Sequence, residues 1–134
     1  MTYPAFDPAP LVPLTPLSFN ILLALGDADR HGYGILKELE RKMSGTSLPA
    51  TGTLYLAIQR LEADGLIADS ERKPEPGRDD ARRRYYRLTP AGRLVAAAEA
   101  RRLIEQIGIA YEKELVAGEA LSRLQQNARR GGQE

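Results

Sequence analysis

The sequence contains no cysteine and only one histidine, His31. Without cysteine the chain has no disulfide bonds, thiolate zinc sites or cysteine nucleophiles, and one histidine excludes most metal sites and any histidine-pair catalysis. No apolar run approaches the ~20 residues of a membrane span, and the first residues lack the basic-then-apolar pattern of a secretory signal. We therefore expect a cytoplasmic protein that uses no metal.

The composition is that of a folded chain whose charge is unevenly distributed. A length of 134 residues fits one domain with one added element, and 43% hydrophobic residues are enough for a core. The net charge of +1 hides a contrast, since residues 1–71 carry 5 basic and 9 acidic side chains. Residues 72–87 carry 7 basic and 3 acidic ones, which makes this block either a solvated loop or a surface for a polyanion. Its basic residues are Arg72, Lys73, Arg78, Arg82, Arg83, Arg84 and Arg87.

Proline and threonine mark the starts of two helices. Four prolines in the first thirteen residues predict an extended arm over residues 1–14 that docks through its apolar side chains. Thr15-Pro16 then combines an N-cap hydroxyl with proline at the first helical position, which predicts a helix over Leu17–Leu25. Thr89-Pro90 repeats the pattern and predicts a long helix from Pro90 to at least Val116, with its continuity through Gly118 left open.

Hydrophobic spacing predicts two further helices and a hairpin between these two. The helices cover Tyr33–Met43 and Thr51–Asp64, and Gly65 ends the second one in a left-handed conformation. The strands cover Leu66–Glu71 and Arg83–Thr89, joined by a charged tip. Tyr85 and Tyr86 alternate along the second strand, so one is expected in the core and the other toward the neighbouring helix or the side that would face a polyanion.

This order of elements is that of a winged helix-turn-helix followed by a long C-terminal helix, mainly α with a small β-hairpin. Leu54, Ile58 and Leu61 lie on the inward face of the third helix, so its other side is available to enter a DNA groove. The basic block forms a wing that contacts phosphates. The predicted DNA-binding residues are Thr51, Gly52, Thr53, Tyr55, Gln59, Arg60, Arg82, Arg83 and Arg84.

The long helix carries an apolar stripe that packs either on the winged domain or on a second copy of the chain. A small core with a projecting helix favours a two-fold homodimer. The chain is thereby divided into an arm (1–14), a DNA-binding domain (15–89), a dimerisation helix (90–128) and a disordered tail (129–134). The predicted dimer interface consists of Leu103, Ile104, Ile107, Tyr111 and Leu115.

Several residues retain two interpretations. The hydroxyl groups of Tyr33 and Tyr55 could contact phosphates, or their rings could pack between the second and third helices. His31 precedes the second helix and is expected to cap it rather than to bind metal. The whole domain could also be a protein-docking module without DNA specificity, which the acidic first segment would suit. An enzyme is poorly supported, and no cofactor is expected, because Glu75, Asp79 and Asp80 could mimic a catalytic carboxylate cluster but have no histidine, cysteine or pocket beside them.

Three sequence runs resemble the PadR family of transcriptional regulators and cover about residues 15–100. They are the run 31–35 (His-Gly-Tyr-Gly-Ile), the runs 52–55, 60–62 and 65–67 around the third helix, and the run 84–92 from Arg84 to Gly92. The resemblance implies a homodimeric winged-helix repressor that binds double-stranded inverted-repeat operator DNA. In some members a small molecule or a stress signal relieves repression. The short C-terminal part resembles the compact branch of the family with one dimerisation helix.

The chain also departs from the family pattern. Many relatives have Ser-Pro before Gly-Thr-Leu-Tyr and proline after it, whereas this chain has Ala50-Thr51 and Leu56. The resemblance therefore assigns the N-cap of the third helix to Thr51. Some drug-binding relatives stack planar ligands on tryptophans, which this chain lacks.

Overall fold

The computed structural model describes residues 6–43, 48–71 and 84–131, with side chains to Arg129. It divides into two compact units, Met1–Glu99 and Ala100–Glu134. The predicted boundary after Thr89 thus falls inside the first unit. The elements are a 3-10 turn at Ala9–Leu11, α1 (Pro16–Ala24), β1 (Arg30–His31), α2 (Gly32–Lys42), α3 (Thr51–Ala63), β2 (Ile67–Asp69), β3 (Tyr85–Leu88), α4 (Pro90–Glu112) and α5 (Gly118–Gly131).

The core of the first unit is built on the first three helices, with contributions from the sheet and from the first part of α4. The hydroxyl oxygen of Thr15 accepts the backbone N–H of Ser18 at 3.1 Å, which confirms the predicted start of α1. The most deeply buried side chains come from α1, α2, α3, the start of β2 and the first part of α4. They are Ile21, Leu22, Ile35, Leu54, Ile58, Leu66, Ile67, Glu99 and Val95.

An antiparallel sheet of order β1-β3-β2 packs beside the helices. The predicted pairing of the two long strands is present, with Ala68 opposite Arg87. The sequence did not reveal β1, whose His31 lies opposite Tyr85. Residues 73–82, predicted as the wing tip, and Arg83 lie outside the described residues.

Tyr85 and Tyr86 were expected to differ, one in the core and the other toward a helix or the DNA side, and both residues are more than nine-tenths buried. Tyr86 belongs to the hydrophobic core, and Tyr85 meets the His31 ring edge-to-face with centroids 5.0 Å apart. His31 lies directly opposite Tyr85 on the neighbouring strand β1, so the two rings meet as a cross-strand pair on one face of the sheet.

The end of α3 and the start of α4 meet at one tight junction. Gly65 has φ +76°, and its N–H and that of Leu66 bond back to the last turn of α3, as predicted for a glycine-terminated helix. Thr89 donates its hydroxyl to the Gly65 carbonyl at 2.7 Å and accepts the Gly92 N–H at 3.0 Å. A Cβ at Gly92 would overlap the Leu66 carbonyl oxygen, so only glycine fits there.

The N-terminal arm differs from the extended segment predicted for residues 1–14. Ala9–Leu11 form a 3-10 turn, and Leu11, Val12 and Leu14 pack on the core of their own chain. The Leu14 N–H donates to Glu99 Oε1 at 3.2 Å, which ties the arm to a carboxylate only 2% exposed.

The expected continuous helix from Pro90 to Val116 is wrong, because α4 ends at Glu112. Glu114 has φ +60°, and its N–H bonds to the Tyr111 carbonyl while the Leu115 N–H bonds to the Ala110 carbonyl. These two bonds are those of a Schellman motif, which ends a helix. A separate helix, α5, follows and runs to Gly131, so residues 129–131 are helical rather than disordered. Residues 132–134 of the predicted tail lie outside the described ranges.

Within the described ranges, no helix is long and apolar enough to cross a membrane. The same part of the chain contains no group of three or more histidine, cysteine, aspartate or glutamate side chains placed to hold a metal ion.

Candidate nucleic-acid interface

The helix α3 buries one face completely and exposes the other. Leu54, Ile58 and Leu61 are at most 3% exposed, as predicted from their spacing. Because these anchors fix the rotation of the helix, the structure places its predicted DNA-binding side chains on the solvent-exposed side. The exposed residues of α3 include Thr51, Gly52, Thr53, Tyr55, Leu56, Gln59 and Arg60.

The start of α3 differs from the prediction. Ala50, not Thr51, occupies the N-cap, and no side chain caps the helix there. Thr51 is the first helical residue, so its hydroxyl lies at an exposed helix N-terminus. Such a terminus favours anions through its backbone N–H groups and the helix dipole.

Tyr55 joins α3 to the start of α2. A Cβ built on Gly32 would lie 2.5 Å from the Tyr55 hydroxyl oxygen, so the ring packs directly on that glycine. The residue is nevertheless 41% exposed. Packing between the helices is therefore confirmed for Tyr55, and part of its surface still faces solvent.

His31 caps α2, as predicted. Its Nδ1 accepts the Gly34 N–H at 2.9 Å. The adjacent Tyr33 is half exposed, and the Lys37 ammonium lies 5.3 Å from the centre of its ring. A hydrogen bond with Tyr33, followed by the charge of Glu40, raises the pKa of Lys37 above its ordinary value. The sequence pattern predicts Lys37 only as an outward residue. The structure places its ammonium beside the Tyr33 ring and 3.4 Å from Glu40 Oε2.

Arg84 connects the base of the wing to α3. Its guanidinium pairs with Glu62 Oε2 at 2.8 Å and with Asp69 Oδ2 at 3.2 Å, and its carbon lies 5.4 Å from the centre of the Tyr86 ring. The pKa of Asp69 is lowered by the Glu71 N–H and then by Arg84. Burial raises the pKa of Tyr86. One side chain thus holds α3, β2 and β3 together.

Arg84 differs from a basic residue whose only partner would be a phosphate. Its guanidinium already pairs with two carboxylates of the same chain, on α3 and β2. Arg82 and Arg83 lie outside the described residues. Arg87 is exposed on β3, and Arg60 is exposed on α3.

The predicted dimer residues expose a large apolar surface. Ile104, Ile107, Tyr111 and Leu115 are between 39% and 78% exposed, and Leu103 is partly buried. On α5, which the sequence did not separate from α4, Leu124 is exposed as well.

Comparisons with known proteins place the chain in a family. The family model described as transcriptional regulator PadR-like matches residues 21–98. The transcriptional regulator Rv3488 of Mycobacterium tuberculosis is 40% identical over 101 residues, which cover 75% of this chain and 83% of that protein.

Solved structures share the fold. A PadR family transcription regulator from Clostridium difficile has a TM-score of 0.62 at 23% identity and covers 73% of this chain and 97% of its own. A transcriptional regulator from Clostridium thermocellum has a TM-score of 0.60 at 28% identity, with coverage of 72% and 87%. The predicted winged helix-turn-helix fold is confirmed. The chain belongs to the PadR-like family of transcriptional regulators, which are DNA-binding regulators and not enzymes.

Proposed function

We propose that this protein is a cytoplasmic, homodimeric repressor that binds an inverted-repeat operator through α3. The observation that carries the proposal is the two-sided character of α3. Its apolar face is sealed into the core, while Gln59 and Arg60 extend from its exposed side. A rigidly held helix with such donors is suited to read base edges in the major groove.

Each exposed group on α3 then has a distinct task. The helix N-terminus with Thr51 and Thr53 faces a phosphate, because backbone N–H groups and hydroxyls donate to phosphate oxygens. Gln59 pairs with adenine, whose donor and acceptor match the side-chain amide, and Arg60 pairs with guanine, whose two acceptors match the guanidinium donors. Tyr55 and Lys37 contact the flanking backbone from the junction of α2 and α3.

The second unit supplies the dimer contact. In a single copy, Ile104, Ile107 and Tyr111 expose apolar surface to water along one helix. Burial of such surface against the same surface of a second copy is favourable, and a two-fold axis explains an inverted repeat. Two copies of α3 then enter major grooves about one helical turn apart.

A gel-shift titration tests the function. The DNA upstream of the protein's own gene is compared with a shuffled duplex of equal length and composition. We expect retardation of the upstream fragment at far lower protein concentration, and release from it when an effector of the repressor is added. Equal retardation of both duplexes, or none, would favour the protein-docking module.

A further inference from the structure

Leu56 stands out on the exposed side of α3. It is 68% exposed, whereas Leu54 is 1% exposed. Successive helical residues advance by about 100°, so Leu56 lies about 200° from Leu54, opposite the buried face. It is therefore the large side chain that projects furthest from the core side of this helix.

The residues around Leu56 shape the surface on which it lies. Gly52 and Ala63 share its side of the helix, one turn before it and two turns after it. A Cβ at Gly52 would have no neighbour within 4 Å. Gln59 and Arg60 flank the line on either side. Along the middle of this surface, the large side chain of Leu56 therefore lies between two small residues. The helix backbone can approach a DNA groove closely, and Leu56 is the apolar side chain that projects into it.

We propose that Leu56 reads the 5-methyl group of a thymine in the operator. This rests on the proposed function, because it requires α3 to lie in the major groove. Among the four bases only thymine presents a methyl group there, so it is the natural contact for an aliphatic side chain between two polar readers. The position then determines specificity at a base pair that neither Gln59 nor Arg60 recognises.

Uracil substitution tests this contact because it removes the methyl group and leaves base pairing unchanged. The half-site is first defined by selection from random duplexes, and each thymine in it is then replaced by deoxyuridine. For the wild-type protein we expect one position at which replacement weakens binding ~4-fold, and ~15-fold when both half-sites are changed, as for the loss of one buried methyl group.

Two variants separate Leu56 from its neighbours. Leu56→Ala should bind thymine and uracil equally at the sensitive position, whereas Leu56→Met, which remains apolar, should retain most of the difference. The matched control Gln59→Ala should keep full sensitivity to the methyl group and lose preference at another base pair.

Two results would overturn the proposal. In the first, no thymine is sensitive to loss of its methyl group. In the second, Leu56→Ala retains the wild-type sensitivity, and if this variant also weakens the homodimer in the absence of DNA, Leu56 lies against protein. A selection that yields no consensus sequence contradicts the proposed function itself, and the role of Leu56 with it.

Discussion

At the scale of single residues, two helix ends show why some features can be predicted and others cannot. Gly65 and Glu114 both adopt positive φ in Schellman motifs. Glycine is the usual residue for this conformation, so the end of α3 was predictable. Glutamate adopts it rarely and at a cost of about 1 kcal/mol or more, so nothing in the sequence marked the end of α4.

Gly92 gives a test of the packing that orients α4. Replacing Gly92 with alanine should lower the free energy of unfolding by about 3 kcal/mol, because the new Cβ meets a backbone carbonyl rather than a movable side chain. Chemical denaturation measures the change.

Gly52→Ala, in the first turn of α3, is the control. A Cβ there would have no neighbour within 4 Å, so the substitution should stabilise the helix by up to about 1 kcal/mol. Equal effects of the two substitutions would show that the junction at Leu66 is not tight.

At the scale of elements, periodicity predicted the helices of the winged domain, and tertiary contacts supplied what it missed. The two-residue strand β1 is too short to show alternation. The partners of Arg84 are 22 and 15 residues away in sequence, so their meeting depends on the fold. The N-cap at Ala50 was missed because a capping side chain was expected where none is used.

The pair Arg84–Glu62 should couple wing orientation to DNA binding. We expect Arg84→Ala to weaken operator binding, and Glu62→Gln to weaken it too, although that change removes a negative charge near DNA. The double variant should be no worse than Arg84→Ala, as a double-mutant cycle in binding titrations would show.

The control is a second double-mutant cycle that combines Glu40→Gln with Arg84→Ala. Glu40 pairs with Lys37 on α2 rather than with Arg84, so the effects of these two substitutions on binding should add. Tighter binding by Glu62→Gln would instead mean that Glu62 merely repels DNA.

The wing arginines Arg82 and Arg83 should act differently. Their joint replacement by alanine should weaken binding to all DNA and reduce the slope of log affinity against log salt by about 1.8, since each phosphate that is no longer neutralised accounts for about 0.9. Titrations at several salt concentrations measure the slope. An unchanged slope would exclude Arg82 and Arg83 as phosphate-binding residues.

At the scale of the whole molecule, the net charge of +1 was a poor guide, since basic residues concentrate in one sixteen-residue block. The apolar stripe was likewise predicted from its spacing, whereas the second copy that would bury it remains a proposal.

Ile107→Asp should dissociate the homodimer, because it places a charge in the middle of the apolar stripe. Sedimentation velocity should show a monomer, and operator affinity should fall because a monomer brings only one α3 to the DNA. Gln106→Asp introduces the same charge at the neighbouring position and should remain dimeric. A dimeric Ile107→Asp protein would place the interface elsewhere.

A hydroxyl-radical footprint on the upstream DNA tests the central claim most directly. The account predicts two protected patches related by two-fold symmetry, with centres about one helical turn apart. A single unsymmetrical patch, or uniform protection along the duplex, would contradict a dimer that reads an inverted repeat through two copies of α3.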